Sequence, residues 1–243
     1  MLYLRSALFL IWFLVISVTM HIVCLPTLLL DRKSASWVPR TWAKLILWGL
    51  KIFAGLRYEV RGAQHLIHGG VIVASKHQCM WETIALFALL DDPAVVIKRE
   101  LLRVPLYGWY ARKQENIFID RKAGASAVRA MMGVARKALT ESRPILIFPE
   151  GTRKAVGAPP DYKPGVAGLY AELDVPCVPV ALNSGLYWIA GGLLKKSGTI
   201  VVEFLEAIPP SLARQEFMSV LQTRIETATA RLVAEGRAQM VGK

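Results

Sequence analysis

The sequence predicts an α/β fold: a sheet of roughly seven strands covered by helices, preceded by a hydrophobic two-helix segment that anchors the chain to a membrane. Three observations predict it. Seven short β-rich runs follow residue 57, helical patterns lie between them, and residues 6–30 carry no Asp, Glu, Lys or Arg.

Taken in order, residues 6–30 would form a helix about 37 Å long at 1.5 Å per residue, enough to cross a hydrocarbon core of roughly 30 Å. A secretory signal is disfavoured: the run exceeds a usual signal core, and no small-x-small cleavage site precedes Asp31 and Arg32. Pro26 should break or kink the helix near its end. After a short basic linker, residues 42–56 form a second apolar segment with Lys44 and Lys51 beside Trp42, Trp48 and Phe53. Arg32, Lys33, Arg40, Lys44 and Lys51 outnumber Arg5, which puts the rest of the chain on the cytoplasmic side of a cell membrane. Whether the pair spans the bilayer or lies in one leaflet is open at this point, and a buried core hairpin is the competing expectation.

The division is therefore 1–56 for the anchor and 57–243 for the α/β domain. The strand candidates are 57–61, 71–75, 94–98, 116–119, 145–148, 178–181 and 199–204. Helices are expected at 83–90, at 126–141 with Val128, Met131, Met132, Ala135 and Leu139 on one side, and at 166–173. The last, 212–234, spaces Phe217, Leu221, Ile225 and Leu232 for packing on the sheet, with a lipid-facing role as the alternative.

Composition adds two constraints. A 54% hydrophobic content and a positive mean hydropathy exceed what a soluble domain usually shows. A net charge of +12 points to an anionic partner: nucleic acid, an anionic membrane or a phosphorylated substrate. Cys24, Cys79 and Cys177 are scattered and odd in number, which argues against a disulfide framework or a metal site and fits a reducing compartment.

The chemistry gathers at strand ends. Residues 71–83, VIVASKHQCMWET, run from an apolar strand into a turn holding His77 and then into a helix start holding Glu82. Histidine can take a proton near neutral pH, and a carboxylate can fix its tautomer and stabilise the imidazolium. Positions five apart on one helix point about 140° away from each other, so the two meet only if His77 lies in the loop and Glu82 just inside the helix. IFIDR brings Asp120 and Arg121 to another strand end, and ILIFPEGTR brings Glu150, Gly151, Thr152 and Arg153 to a third. Ligands of open α/β sheets bind outside the carboxyl ends of the strands, and Arg, Gly and Thr in this setting suit a phosphate.

KHQCMWET, IFIDR, FPEGTR and VPCVPVALNSG, in this order and spacing, resemble the four blocks of the glycerolipid acyltransferase family, most closely its 1-acyl-sn-glycerol-3-phosphate acyltransferases. The resemblance covers roughly residues 58–209. It implies a seven-stranded sheet wrapped by helices, a membrane anchor, and acyl transfer from acyl-CoA or acyl-carrier protein to a lysophospholipid hydroxyl. No metal or cofactor beyond that thioester co-substrate is implied, and no nucleic acid. It also implies His77 as base, Glu82 as its orienting carboxylate, and Arg121, Glu150, Gly151 and Arg153 around the acceptor phosphate, where the Thr152 hydroxyl read from the strand end would join them, with Lys98 of VIKREL as a further phosphate ligand.

The residues support the same chemistry without the family. A neutral His77 would deprotonate the acceptor hydroxyl as it attacks the thioester, backbone N–H groups would steady the oxyanion, and Lys76 would favour the neutral imidazole by like-charge repulsion. The chain departs from the family at three positions: Glu82 stands where Asp is usual, Lys76 where Asn is common, and Cys79 where Ser is usual. Cys79 is a poorer helix cap than serine and raises a rival mechanism, a thiol acyl-enzyme activated by His77. The remaining alternatives are transfer to another lysolipid or to glycerol 3-phosphate, and a non-catalytic binder of anionic lipid or nucleic acid.

Overall fold

The structure, a computed structural model, describes residues 1–120, 125–189 and 191–241, with side chains described for all of these but 125–130. Seven strands form one sheet: β1 (Leu56–Arg61), β2 (Ile72–Ser75), β3 (Ala94–Lys98), β4 (Ile117–Ile119), β5 (Ile145–Ile147), β6 (Cys177–Leu182) and β7 (Gly198–Phe204). Their spatial order is β1-β7-β6-β2-β5-β3-β4. All neighbours are parallel except β6 and β7, so β1 and β7 run against the other five. The chain leaves β2 towards β3 and β4, returns to β5 beside β2, and continues to β6 on the other side of β2. That reversal opens a crevice at the carboxyl ends of β2 and β5, where α/β sheets bind ligands.

Helices cover both faces. On one side α3 (Trp37–Gly49) and α4 (Trp81–Leu89) join a core built on Val73, Val95, Leu146, Val180 and Val202. On the other, α6 (Ala125–Thr140), α7 (Gly165–Leu173) and α8 (Arg214–Val241) close over Ile72, Ala74, Ile117, Ile145 and Cys177. Because residues alternate between faces along a strand, Ile72 and Val73 of β2 belong to opposite cores. The stripe of α8, Phe217, Leu221, Ile225 and Leu232, is wholly buried, so that helix packs on the protein rather than facing lipid. A short α2 (Arg32–Ala35) and α5 (Tyr107–Lys113) complete the set.

The N-terminal helix α1 (Leu2–Val23) is long and apolar enough to cross a membrane, with a mean hydropathy of 2.2. It ends before Pro26, which instead sits in a 3-10 turn at Leu25–Leu29. A second helix follows, as the apolar segment 42–56 requires, but it starts earlier, at Trp37, and finishes in a single π turn at Leu50–Ala54 capped by Gly55 in the left-handed region. The two helices dock on each other and on the sheet. Phe9, Ile46, Leu47, Leu50 and Ala54 are buried in the same hydrophobic cluster as the strands.

Contacts run along the whole of α1: the Arg5 Nε donates to Phe53 O, the Lys195 N–H to Ser6 Oγ, the Trp12 Nε1 to Leu45 O, the Trp42 Nε1 to Ser17 Oγ and the Tyr110 hydroxyl to His21 O. Opposite them, Leu4, Leu8, Ile11, Val15, Val18 and Ile22 form an exposed apolar stripe. On α3 and its π turn, Lys44, Trp48, Lys51 and Ile52 are exposed at helical spacing. The Arg32 side chain is largely buried and ion-paired with Asp92 and Glu141, whereas Arg40, on α3, makes an exposed pair with Asp91.

Candidate active site

Glu82 meets five backbone and side-chain partners at once, three at one carboxylate oxygen and two at the other. Its Oε1 accepts from the N–H groups of Gln78 (2.5 Å) and Cys79 (2.6 Å) and lies 2.9 Å from His77 Nδ1. Its Oε2 accepts from the Ser184 hydroxyl at 2.8 Å and from the Cys79 thiol at 3.3 Å. The Cys79 sulfur in turn accepts the Trp81 N–H at 3.4 Å. The helix itself starts at Trp81 after Met80, so Cys79 stands one residue ahead of the cap position: its sulfur meets the first helical N–H while Glu82 reaches back to the Cys79 N–H in the manner of a capping box. Helix start and histidine orientation therefore share one carboxylate.

His77 lies in the loop, as its separation from Glu82 demands. Its ring stacks on Phe148 with centroids 4.2 Å apart. The FPEGTR loop holds its backbone from both sides: the His77 N–H donates to Glu150 Oε2 at 3.2 Å, and His77 O accepts the Lys154 N–H at 2.8 Å. With Nδ1 directed at a carboxylate, Nδ1 carries the proton in the neutral ring and Nε2 is left as the acceptor. The side chain borders a cavity of about 1750 Å³. That exceeds the roughly 300–1,000 Å³ of a site for one drug-sized ligand. The cavity lining includes the apolar side chains of Phe13, Val18, Trp42, Ile84, Phe87 and Leu101 and the polar groups of Lys98, Thr152 and Arg153.

Burial opposes ionisation of Glu82, but the hydrogen bond and charge of His77, with donors from Cys79 and Ser184, more than offset it and hold this carboxyl below the usual range. A depressed carboxylate contributes stability above its unfolded pKa of about 4.3 and loses it as the pH falls through the lower folded value. Thermal midpoints of the parent and Glu82→Gln should therefore differ most at neutral pH and converge as the pH drops below about 4. A gap that widens on acidification would contradict the assigned sign.

The thiol rival finds no support. Cys79 is fully buried, bonded to Glu82 and Ser184, and burial together with the Glu82 charge pushes its thiol far up, away from thiolate.

Of the sequence-derived phosphate residues, Lys98, Gly151, Thr152 and Arg153 line the cavity, with Lys98, Thr152 and Arg153 exposed. Glu150 does not belong with them. It is 0% exposed and turns inward to His77 N–H and to Lys76 Nζ (2.8 Å), because the Phe148–Gly151 turn, closed by Gly151 N–H to Phe148 O and finished by Gly151 at φ +65°, sends successive side chains to opposite sides. Arg121 lies outside the described residues.

The like-charge role expected of Lys76 also falls away, since its ammonium is ion-paired with Glu150 and Glu226. The N–H groups of Gln78, Cys79, Gly151 and Lys154 are all engaged internally, so none of these four is an oxyanion donor in this state. Among the described residues no His, Cys, Asp or Glu cluster could hold a metal ion.

Sequence reasoning missed Ser184, Gln78 and Phe148. Ser184 lies in VPCVPVALNSG, where the serine next to a glycine was the available signal. Gln78 accepts the Gly185 N–H, and a Cβ at Gly185 would approach Val156 to 2.8 Å, so glycine lets the 183–186 turn close on the His77 loop.

A carboxylate-oriented histidine at the carboxyl edge of a sheet crevice suits an acyltransferase, and the chain belongs to the acyltransferase family, whose model matches residues 57–183. Among its relatives is the 1-acyl-sn-glycerol-3-phosphate acyltransferase of Pseudomonas aeruginosa, 33% identical over 204 residues, covering 84% of this chain and 79% of that one. The human 1-acyl-sn-glycerol-3-phosphate acyltransferase alpha is 36% identical over 143 residues, covering 58% of this chain and half of that protein. The fold matches the crystal structure of the 1-acyl-sn-glycerophosphate acyltransferase PlsC from Thermotoga maritima, with a TM-score of 0.78 over 96% of this chain and 98% of that one at 20% identity.

Proposed function

We propose that this enzyme moves a fatty acyl group from an acyl thioester to the sn-2 hydroxyl of 1-acyl-glycerol 3-phosphate, giving phosphatidic acid. The observation that carries the mechanism is the His77 Nδ1–Glu82 contact of 2.9 Å at the wall of the large cavity. In this reading His77 Nε2 takes the hydroxyl proton as the oxygen attacks the thioester carbonyl. The C–S bond breaks, and the departing thiolate receives the proton from the imidazolium, which Glu82 stabilises meanwhile. No acyl-enzyme forms and no cofactor beyond the thioester, acyl-CoA or acyl-carrier protein, is needed. Arg153, Thr152 and Lys98 meet the acceptor phosphate, with Gly151 keeping the backbone open beside it.

The outer apolar stripe of α1 and the Lys44–Trp48–Lys51 face of α3 support a membrane-contact role for residues 1–56, with the catalytic residues 57–243 on the cytoplasmic side. Because α1 is bonded to the rest of the protein from Arg5 to His21, it lies in one leaflet rather than crossing alone. The apolar lining of the cavity, which includes Phe13 and Val18 of that helix, then receives an acyl chain from the lipid.

The test is thiol release by purified protein against lysophosphatidic acid, lysophosphatidylcholine and glycerol 3-phosphate, with acyl-CoA and acyl-carrier protein as donors. Lysophosphatidic acid should be the preferred acceptor; preference for glycerol 3-phosphate would assign a different acceptor. Arg153→Lys, which loses the bidentate fork, should raise the lysophosphatidic acid KM roughly tenfold to a hundredfold with little change in donor KM, as a charge-assisted pair worth about 1.5–3 kcal/mol requires. An unchanged acceptor KM would move the phosphate elsewhere.

A further inference from the structure

Lys76 is the residue before His77, and its side chain is 4% exposed. Its ammonium lies 2.8 Å from Glu150 Oε1 and 2.7 Å from Glu226 Oε1. Glu226 belongs to α8, outside the 57–183 family match, and its Oε1 also accepts the Tyr162 hydroxyl at 2.9 Å. Glu150 carries the chain onward through Oε2 to the His77 N–H. A continuous path therefore links the C-terminal helix to the backbone of the base: Tyr162, Glu226, Lys76, Glu150, His77.

A fully buried Glu150 needs a counter-ion, because an unpaired charge in that setting strongly destabilises the fold. Lysine supplies the charge but little direction, being a compact point charge on a flexible stem. A single carboxylate would leave its stem free to choose among rotamers. A second carboxylate, carried by a helix whose neighbouring Ile225 is locked in the core, removes that choice.

We infer that Glu226 is a positioning residue for the acyl transfer: with Tyr162 it holds the Lys76 ammonium against Glu150, and so fixes the His77 backbone that presents Nε2 to the acceptor hydroxyl. This rests on the assignment of His77 as base. It gives α8 a part in turnover besides covering the sheet.

The test is steady-state kinetics on the full-length protein for Glu226→Ala, Glu226→Gln, Lys76→Asn and the doubles with Lys76→Asn. Glu226→Ala should lower kcat about tenfold, within the range for residues that share one network, with both KM values within about twofold of the parent. Glu226→Gln keeps an acceptor for Lys76 and Tyr162 and should fall between the two. On the Lys76→Asn background, neither Glu226 change should lower kcat further, since the path is already cut. Leu232→Val, which loosens α8 against the sheet, should lower the thermal midpoint and leave kcat unchanged.

Parental kcat in Glu226→Ala, or an equal loss with and without Lys76, would overturn the inference. Should Glu226→Ala not fold, Glu226→Gln carries the same cycle. Absence of acyl transfer in the parent, or a fully active His77→Ala, would instead refute the function on which it rests.

Discussion

Glu82→Gln is expected to lower kcat by about 10²–10⁴-fold while the protein folds with a loss under about 1 kcal/mol at neutral pH. The glutamine amide oxygen can still accept from Gln78 and Cys79 N–H, so the helix start survives. What disappears is the charge opposite His77 Nδ1, which holds the tautomer and stabilises the imidazolium. Because the two residues act as one unit, His77→Ala combined with Glu82→Gln should be hardly slower than His77→Ala alone. Glu82→Asp keeps the charge and should retain measurable activity, with a weakened grip on the 78–79 amides because its stem is one methylene shorter. If Glu82 served the helix macrodipole alone, Glu82→Gln would turn over nearly as the parent does. Turnover separates these outcomes, with the thermal midpoint of each variant showing that it is folded.

Removing residues 1–55 should leave the remainder insoluble rather than simply released from membranes. Phe9, Ile46, Leu47 and Leu50 are buried against the sheet, and each such side chain contributes about 1.5–3 kcal/mol when fully buried. Four of them together, about 6–12 kcal/mol, match the whole net stability of a typical domain, about 5–15 kcal/mol. Expression of residues 56–243 followed by solubility and circular dichroism checks this. A monodisperse, folded fragment with parental turnover on dispersed substrate would contradict it.

Much of the fold was legible because the central strands are short apolar runs bounded by turns, and because helices 126–141 and 212–234 carry their buried residues at a clear period. The parts that were not legible depend on distant partners. α5 has only seven residues, opening on Tyr107 and Gly108 after Leu106 at φ +62°, and it is held by Tyr110 reaching His21, a contact that no local pattern reports. The reversed direction of β7 against β6 is likewise a tertiary fact. At the site, the His77–Glu82 spacing carried its own geometry, but Lys76 and Glu226 are 150 positions apart. Glu150 and Arg153 share the FPEGTR run, but the turn at Gly151 separates their directions, which spacing alone does not disclose.

The most direct test of the account compares thiol release from acyl-CoA by the parent and by His77→Ala at saturating lysophosphatidic acid, with phosphatidic acid quantified in the same samples. The parent should release one thiol per phosphatidic acid formed, only when acceptor is present, and His77→Ala should stay at background. Parental phosphatidic acid formation by His77→Ala would contradict the proposed role of His77 as the base.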